Sequence, residues 1–483
     1  MDIETLSDDV LLEIFDLYQA EDEDTNPWHD PGSEWRGRRS YDAWYTLAHV
    51  CQRWRYVVFE SPRRLNLRLH CTRRRVREMV GVWPALPIVI WDTENFRSDD
   101  DNIIAALHHR DRVCEIKLGY LTRFKSKKLV PLMQESFPAL TKLQIQSPLG
   151  DELVLPDSFL GGSAPHLRFL CLSSISFPAF PNLLLSASNL VYLYLDGTPS
   201  GYISPKMVAA LSALNKLEVM YIHFNYAVSD SDLEDLAPPP LTRSILPALN
   251  RLELRGDGKY LDGFVAWIDV PSINHLQIEF TNRPIFAGDF FHLPQFIGRV
   301  EKFHSFDYAN FDLSTHAVDV HLSPQIWVDG SPRQALNLKF LCDFDGPLPS
   351  LADLVEVCNS LLPLSNIESF SLFAPDLSLD LRSGFNAEDP RWLEILRQFP
   401  AAKNLYLGSM VFVPGVAFGL KQVIEEGMTD VLPAIQKLSL FKSLSAGPVR
   451  EAIEQFVTAR GLSAFETPGS AGWRISARDT NEG

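Results

Sequence analysis

Paired cysteines are missing from this sequence. Its six cysteines, Cys51, Cys71, Cys114, Cys171, Cys342 and Cys358, stand far apart, and none forms a Cys-x-x-Cys pair. Isolated thiols spread over 483 residues are unlike the dense disulfide framework of a small secreted domain. There is no Asn-x-Ser/Thr triplet, and no apolar run nears the roughly 18 residues that a membrane helix needs. Positive charge is not in excess either: 44 Lys and Arg face 61 Asp and Glu, a net charge of −17. Such a chain, taken as a whole, repels phosphate backbones and anionic lipid. The opening MDIETLSDDV is acidic where a secretory leader is basic and then apolar. These absences predict a reducing compartment, cytosol or nucleus, with no membrane partner and little general affinity for nucleic acid.

Catalytic signatures are missing too. The sequence has no phosphate-binding Walker loop, no dinucleotide glycine fingerprint, no GxSxG elbow and no HExxH helix. His108 and His109 are adjacent, so their side chains leave a helix in different directions and cannot easily share a metal. Asp99, Asp100 and Asp101 follow Ser98 and precede an apolar run, which suits the start of a helix. The reading is of a non-catalytic chain with no cofactor.

What is present is 46% hydrophobic residues, enough for a folded protein. The pattern changes near residue 85. Up to about residue 80 the chain reads as short helices, with a charged, Pro- and Gly-bearing insertion over 21–40 that also holds Trp28 and Trp35. Residues 81–465 read as repeats, and 466–483 as a tail with little to bury. In the helical part Val10, Leu11, Ile14, Phe15 and Leu17 recur at helical spacing. Ser7 occupies the N-cap, with Asp8 and Asp9 in the first turn, where negative charge suits the helix dipole. A second apolar series runs through Trp44, Leu47, Val50, Cys51, Trp54, Val57 and Val58, and stops before Pro62.

After residue 110 one phrase keeps returning. FPALTKLQIQ (Phe137–Gln146) comes back as APHLRFLCLS, LPALNRLELR and VPSINHLQIE, then near the C-terminus as FPAAKNLYLG and LPAIQKLSLF. Each has Pro, an apolar residue two positions on, and apolar residues five and seven positions on. The fifth positions are Leu143, Leu170, Leu252, Leu276, Leu405 and Leu438. Pro-less copies add Ile116, Leu193 and Phe370, and Leu217 fills the gap before Leu252. The stretch from Phe303 to Leu341 is less regular, though HAVDVHL and ALNLKFL there read as strands. Alternation with period two makes each copy a short strand with one buried face. Helical segments separate the strands, and only stacked units share a continuous core.

Alternation also selects the residues on the open face of that sheet. They include Lys142, Gln144 and Gln146; Tyr192, Tyr194 and Asp196; Arg251, Glu253 and Arg255; His275, Gln277 and Glu279; and Lys437, Ser439 and Phe441. Mixed aromatic, acidic and basic side chains suit a protein guest better than a uniform polyanion. Substrate capture is assigned to Tyr192, Tyr194, Arg251, Glu253, Arg255, His275 and Gln277.

Two resemblances follow from these motifs. The repeats resemble an irregular leucine-rich-repeat protein, implying an α/β solenoid with a curved parallel sheet. LSDDVLLEIFDLY and the later Leu47-x-x-Val50-Cys51-x-x-Trp54 resemble the F-box, in the F-box-like form common in fungal families. That resemblance implies a helical module that docks on a Skp-type adaptor and, through it, a cullin-based ubiquitin ligase, while the repeats hold a protein substrate. The implied adaptor-facing residues are Leu6, Val10, Leu11, Ile14, Phe15, Leu47, Val50 and Cys51, with Trp54 as an internal wedge. Ser7 stands where the family has Pro, and the 21–40 insertion is long for it. Two other readings stay open. The helices could cap a repeat scaffold with no ligase role. The arginines from Arg53 to Arg77 could contact RNA, phosphate or an acidic protein.

Overall fold

A computed structural model describes residues 6–20, 43–62, 65, 67–71, 75–81, 85–93, 99–148, 153–178, 180–198, 205–224, 243–281, 290–313, 317–324, 335–341, 364–373, 389–408, 413–440 and 447–462. The insertion at 21–40 with Trp28 and Trp35, the residues 466–483, and Phe441 lie outside these. The chain falls into two compact units, 1–190 and 191–483.

The first unit opens with three helices: α1 (Asp8–Ala20), α2 (Ala43–Val50) and α3 (Gln52–Glu60). Ser7 caps α1 as expected, its Oγ accepting from the Val10 amide at 3.4 Å and its carbonyl from Leu11. The apolar series from Trp44 to Val58 does not make one helix. It breaks at Cys51, which is extended and whose sulfur accepts from the Trp54 amide. A side-chain acceptor for one of the orphan amides lets a new helix start there. Trp54 packs its ring against Phe15, centroids 4.9 Å apart.

The main sheet of this unit has five strands among the described residues: β1 (Leu69–Cys71), β2 (Ile88–Asp92), β3 (Val113–Leu118), β4 (Lys142–Gln146) and β5 (Phe169–Ser173), each parallel to its neighbour. β1 lies within the stretch expected to be helical, so strand pairing begins earlier than the change of composition suggests. The helix at Asp100–Leu107 is capped by Asp99, whose carboxylate accepts from the Asp101 amide. The acidic triplet therefore starts a helix.

The second unit contributes β6 (Tyr192–Thr198), β7 (Val219–Phe224), β8 (Arg251–Gly256), β9 (His275–Phe280), β10 (Tyr308–Leu313), β11 (Ala317–Ser323), β12 (Ala335–Leu341), β13 (Ser369–Phe373), β14 (Asn404–Leu407) and β15 (Lys437–Leu440). In space they run β6-β7-β8-β9-β12-β11-β10-β13-β14-β15. The repeated apolar position forms one row across this sheet. Leu193, Met220, Leu252, Leu276 and Leu336 pair in register, as do Phe370, Leu405 and Leu438. All eight are at most 3% exposed, and every one but Leu438 is fully covered. In the first unit Cys71, Ile90, Ile116, Leu143 and Leu170 make the equivalent row. The chain is thus α/β, with largely parallel sheets built by a leucine-rich type of repeat after small N-terminal helices.

Two details differ from expectation. Met220, not Leu217, sits in the repeat row; Leu217 is the buried residue ahead of the strand. VMYIHF is buried at five of six positions, which hides its alternation. The irregular stretch is a reversed insert: β11 runs antiparallel to both β10 and β12, so the sheet is not wholly parallel.

Stacking extends below the row. Phe370 and Phe399 lie face to face with centroids 4.1 Å apart, and Phe280 and Phe340 at 4.9 Å. Buried Asp262 accepts from the amides of Phe291, His292 and Leu293 at 3.2, 2.9 and 2.7 Å, which caps the helix Leu293–Gly298. Charge-assisted bonds of this kind contribute about 1.5–3 kcal/mol each. The final helix, Pro448–Arg460, stops at Gly461, whose φ of 62° is the left-handed conformation that glycine adopts freely.

Candidate functional site

Two surfaces concentrate the residues singled out in the sequence. On the N-terminal helices the structure divides the expected adaptor-facing set in two. Val10, Ile14, Val50 and Cys51 are exposed, and Leu6 is half-buried. Leu11, Phe15 and Leu47 are covered: Leu11 and Phe15 at 0% and Leu47 at 6% exposure. This corrects their expected outward placement. They form the small core joining the three helices, because α1 carries two adjacent apolar strips and only one can turn inward. The outward strip gains Leu17, 71% exposed and in line with Val10 and Ile14 at helical spacing.

The arginines near these helices are mostly engaged. Arg53 bonds the Asp8 carboxylate at 2.7 Å and also the Leu6 carbonyl, tying α3 to the start of α1. Arg55 donates to the Ala48 carbonyl, Arg68 to Glu115, and Arg77 lies 3.4 Å from Asp101. Arg63, Arg64, Arg73 and Arg74 lie outside the described residues. The described members therefore hold parts of the first unit together.

The second surface is the polar face of the ten-stranded sheet in 191–483. Strand register brings the expected residues into lines. Tyr192, Val219, Arg251 and His275 form one line, and Tyr194, Tyr221, Glu253 and Gln277 the next. Asp196, His223, Arg255, Glu279 and Lys339 form a third. Tyr192 is only 4% exposed and Glu279 7%, so neither projects freely as the alternation implied. Tyr221 covers the first with its ring 5.6 Å away, and Arg255 and Lys339 close over the second at 2.9 and 3.7 Å.

Tyr221 and His223 were missed in the sequence because the repeat there was placed three residues early. They sit at the centre. The Tyr221 ring touches those of Tyr192 and Tyr194 and carries the Arg251 guanidinium at 5.4 Å. His223 lies between Asp196 and Glu253, each 3.5 Å from a ring nitrogen. Burial would lower its pKa, but the two flanking carboxylates outweigh burial and raise it from 6.5 to about 9. The imidazolium is thus the charged link between two acids at neutral pH. His321, farther along the face, is shifted the other way: burial lowers its pKa to about 4. Lys437 and Ser439 occupy the outer strand β15, paired with Asn404 and Tyr406.

Among the described residues no group of His, Cys, Asp and Glu is placed to hold a metal ion. None of the described helices is long and apolar enough to cross a membrane. His108 ends the helix Asp100–Leu107 as its C-cap.

No family model matches the sequence, and no curated protein matches it. Among solved structures the chain is similar to the leucine-rich repeat-containing protein LegL7 from Legionella pneumophila. The match has 14% identity, covers 82% of this chain and 99% of that one, and has a TM-score of 0.28. The repeat architecture described above rests on this chain's own strand register: a row of apolar residues recurring strand after strand, with a polar face opposite.

Proposed function

We propose that this chain is the substrate-recognition subunit of a Skp–cullin–F-box type ubiquitin ligase, non-catalytic itself, acting in cytosol or nucleus. The N-terminal helices dock on a Skp-type adaptor that leads to a cullin, and the polar sheet faces hold a protein substrate. One observation carries the reading. A helix that already buries Leu11 and Phe15 leaves a second apolar strip, Val10, Ile14 and Leu17, in water at 44%, 39% and 71% exposure. Val50, 56% exposed, and exposed Cys51 add to it at the α2–α3 corner. Apolar side chains grouped on a small helical module mark a contact surface. The motif Leu47-x-x-Val50-Cys51-x-x-Trp54 gives that surface its expected occupant. In the adaptor-facing set, the contact falls to Leu6, Val10, Ile14, Val50 and Cys51, while Leu11, Phe15 and Leu47 shape it from behind.

Replacing Ile14 with Asp tests the docking. Adaptor co-purification should fall by about 30-fold or more, since loss of a buried interface anchor typically costs about 2 kcal/mol. The thermal midpoint should stay within a degree or two, because the side chain is already exposed. Undiminished co-purification with the fold intact would remove the ligase assignment and leave a repeat scaffold that binds proteins by another route.

A further inference from the structure

The sheet in the first unit has a different electrostatic character from the chain that carries it. On the polar face of β1–β5, Glu115 is the only acidic side chain among the described strand residues, against Lys117 and Lys142. Arg68, just before β1, adds a third cation 3.3 Å from Glu115. Tyr120, 48% exposed, stands two residues beyond the end of β3. The next turn starts a short helix, Arg123–Leu129, whose sequence RFKSKKL has four cations and no acid. Lys125 is held by Asp92 at 2.5 Å and Lys128 by Asp100 at 2.9 Å. Arg123 and Lys127 are exposed on the same helix, and Phe124 projects beside them at 69% exposure, beneath the Lys128 ammonium.

An exposed Phe and Tyr set among cations, in a protein of net charge −17, call for a partner with acids next to apolar side chains. We infer that this rim, formed by Tyr120, Arg123, Phe124 and Lys127, docks an acidic protein segment bearing aromatic or aliphatic residues. The inference names a substrate class for the proposed sheet-face capture and rests on that part of the functional reading, not on adaptor docking. Charge range favours a short acidic segment over nucleic acid. Screening limits each charge to about 8 Å at physiological ionic strength, so a short segment feels the local cations. A nucleic acid bears a charge about every 1.7 Å in duplex form and would run on over the acidic remainder of the surface. The two aromatics supply apolar contact that a purely electrostatic patch lacks.

The test is a titration of the full chain with a short fluorescein-labelled peptide of alternating Asp and Glu containing one Phe and one Leu, read by anisotropy. Its controls are the same peptide with every acid changed to Lys, and oligothymidine of equal charge. The acidic peptide should bind tightest, and more weakly as salt rises. Phe124→Ala and Lys127→Glu should each weaken it about tenfold, while Lys437→Glu on β15 should not. Both substituted residues are exposed, so unchanged melting curves should accompany the loss. Absence of peptide binding overturns the proposal, as does binding indifferent to both substitutions. Tighter binding of oligothymidine assigns the rim to nucleic acid instead. Ile14→Asp should leave the titration unchanged, so a failure of adaptor docking and a failure of this inference are separable.

Discussion

The helices at 8–60 and the sheet face at 191–483 handle their outward side chains in opposite ways. The helices leave Val10, Ile14, Leu17 and Val50 exposed to water. The sheet face ties its charged residues to one another: Asp196 to His223, His223 to Glu253, Glu253 to Arg251, and Glu279 to both Arg255 and Lys339. An apolar strip gains by being covered, so it favours a constant partner. A pre-paired polar face gains little from charge alone, since each new ion pair must displace an existing one. It suits recognition by shape and by hydrogen bonding. On the proposed reading the first surface serves assembly and the second selection.

Three changes probe this contrast, taken in order of size. Leu11→Ala removes a fully buried side chain one residue from exposed Val10. It should cost about 3 kcal/mol of stability by cavity formation, read as a lower urea midpoint, with adaptor binding lost only in proportion to unfolding. A change below about 1 kcal/mol would mean that α1 does not depend on its inward strip.

The second change is in pH. His223 has its pKa raised from 6.5 to about 9 in the folded chain. Its contribution is therefore fully present below 6.5 and is lost as pH rises through about 9. His321 is shifted the other way, to about 4. Below 6.5 the unfolded chain takes up a proton that the folded chain refuses, so stability also falls from 6.5 toward 4. Each limb should be on the order of 2 kcal/mol, giving these two groups a joint maximum near pH 6.5. In urea titrations His223→Gln should flatten the alkaline limb and His321→Gln the acid one. An alkaline limb unchanged by His223→Gln would break the picture of a charge-linked face.

The smallest effect is expected at Val10→Ser. Exposed positions usually change stability by within about 0.5 kcal/mol, so the melting curve should hardly move while adaptor affinity drops. A marked loss of stability would show that the outer strip supports the helix itself and would weaken the assembly argument.

Much of the architecture was legible because the repeat repeats. The spacing from Leu143 to Leu170 and from Leu405 to Leu438 identified strands that pair in register at those residues. Legibility failed where burial was two-sided or direction mattered. In VMYIHF the polar face is covered by tyrosine and histidine packing, so the row appeared to pass through Leu217 instead of Met220. The strands at 317–323 and 335–341 were visible, but period-two alternation is the same in parallel and antiparallel sheets, so their reversal was not. At the candidate sites, sequence named Arg251, Glu253 and Arg255 correctly as face residues. It could not find His223, whose importance comes from two acids on neighbouring strands.

The sequence by itself determined the strand and helix periods, the acidic balance, the cap at Ser7, the acidic helix start at Asp99 to Asp101, and the recurring apolar row. These are local properties or simple counts, fixed by spacing along the chain. Tertiary structure alone decided which half of α1 turned inward and that β11 would run backward. It also decided that His223 would be held charged between Asp196 and Glu253. In each case the cause is a neighbour distant in sequence, whose packing or charge cannot act until the chain has folded.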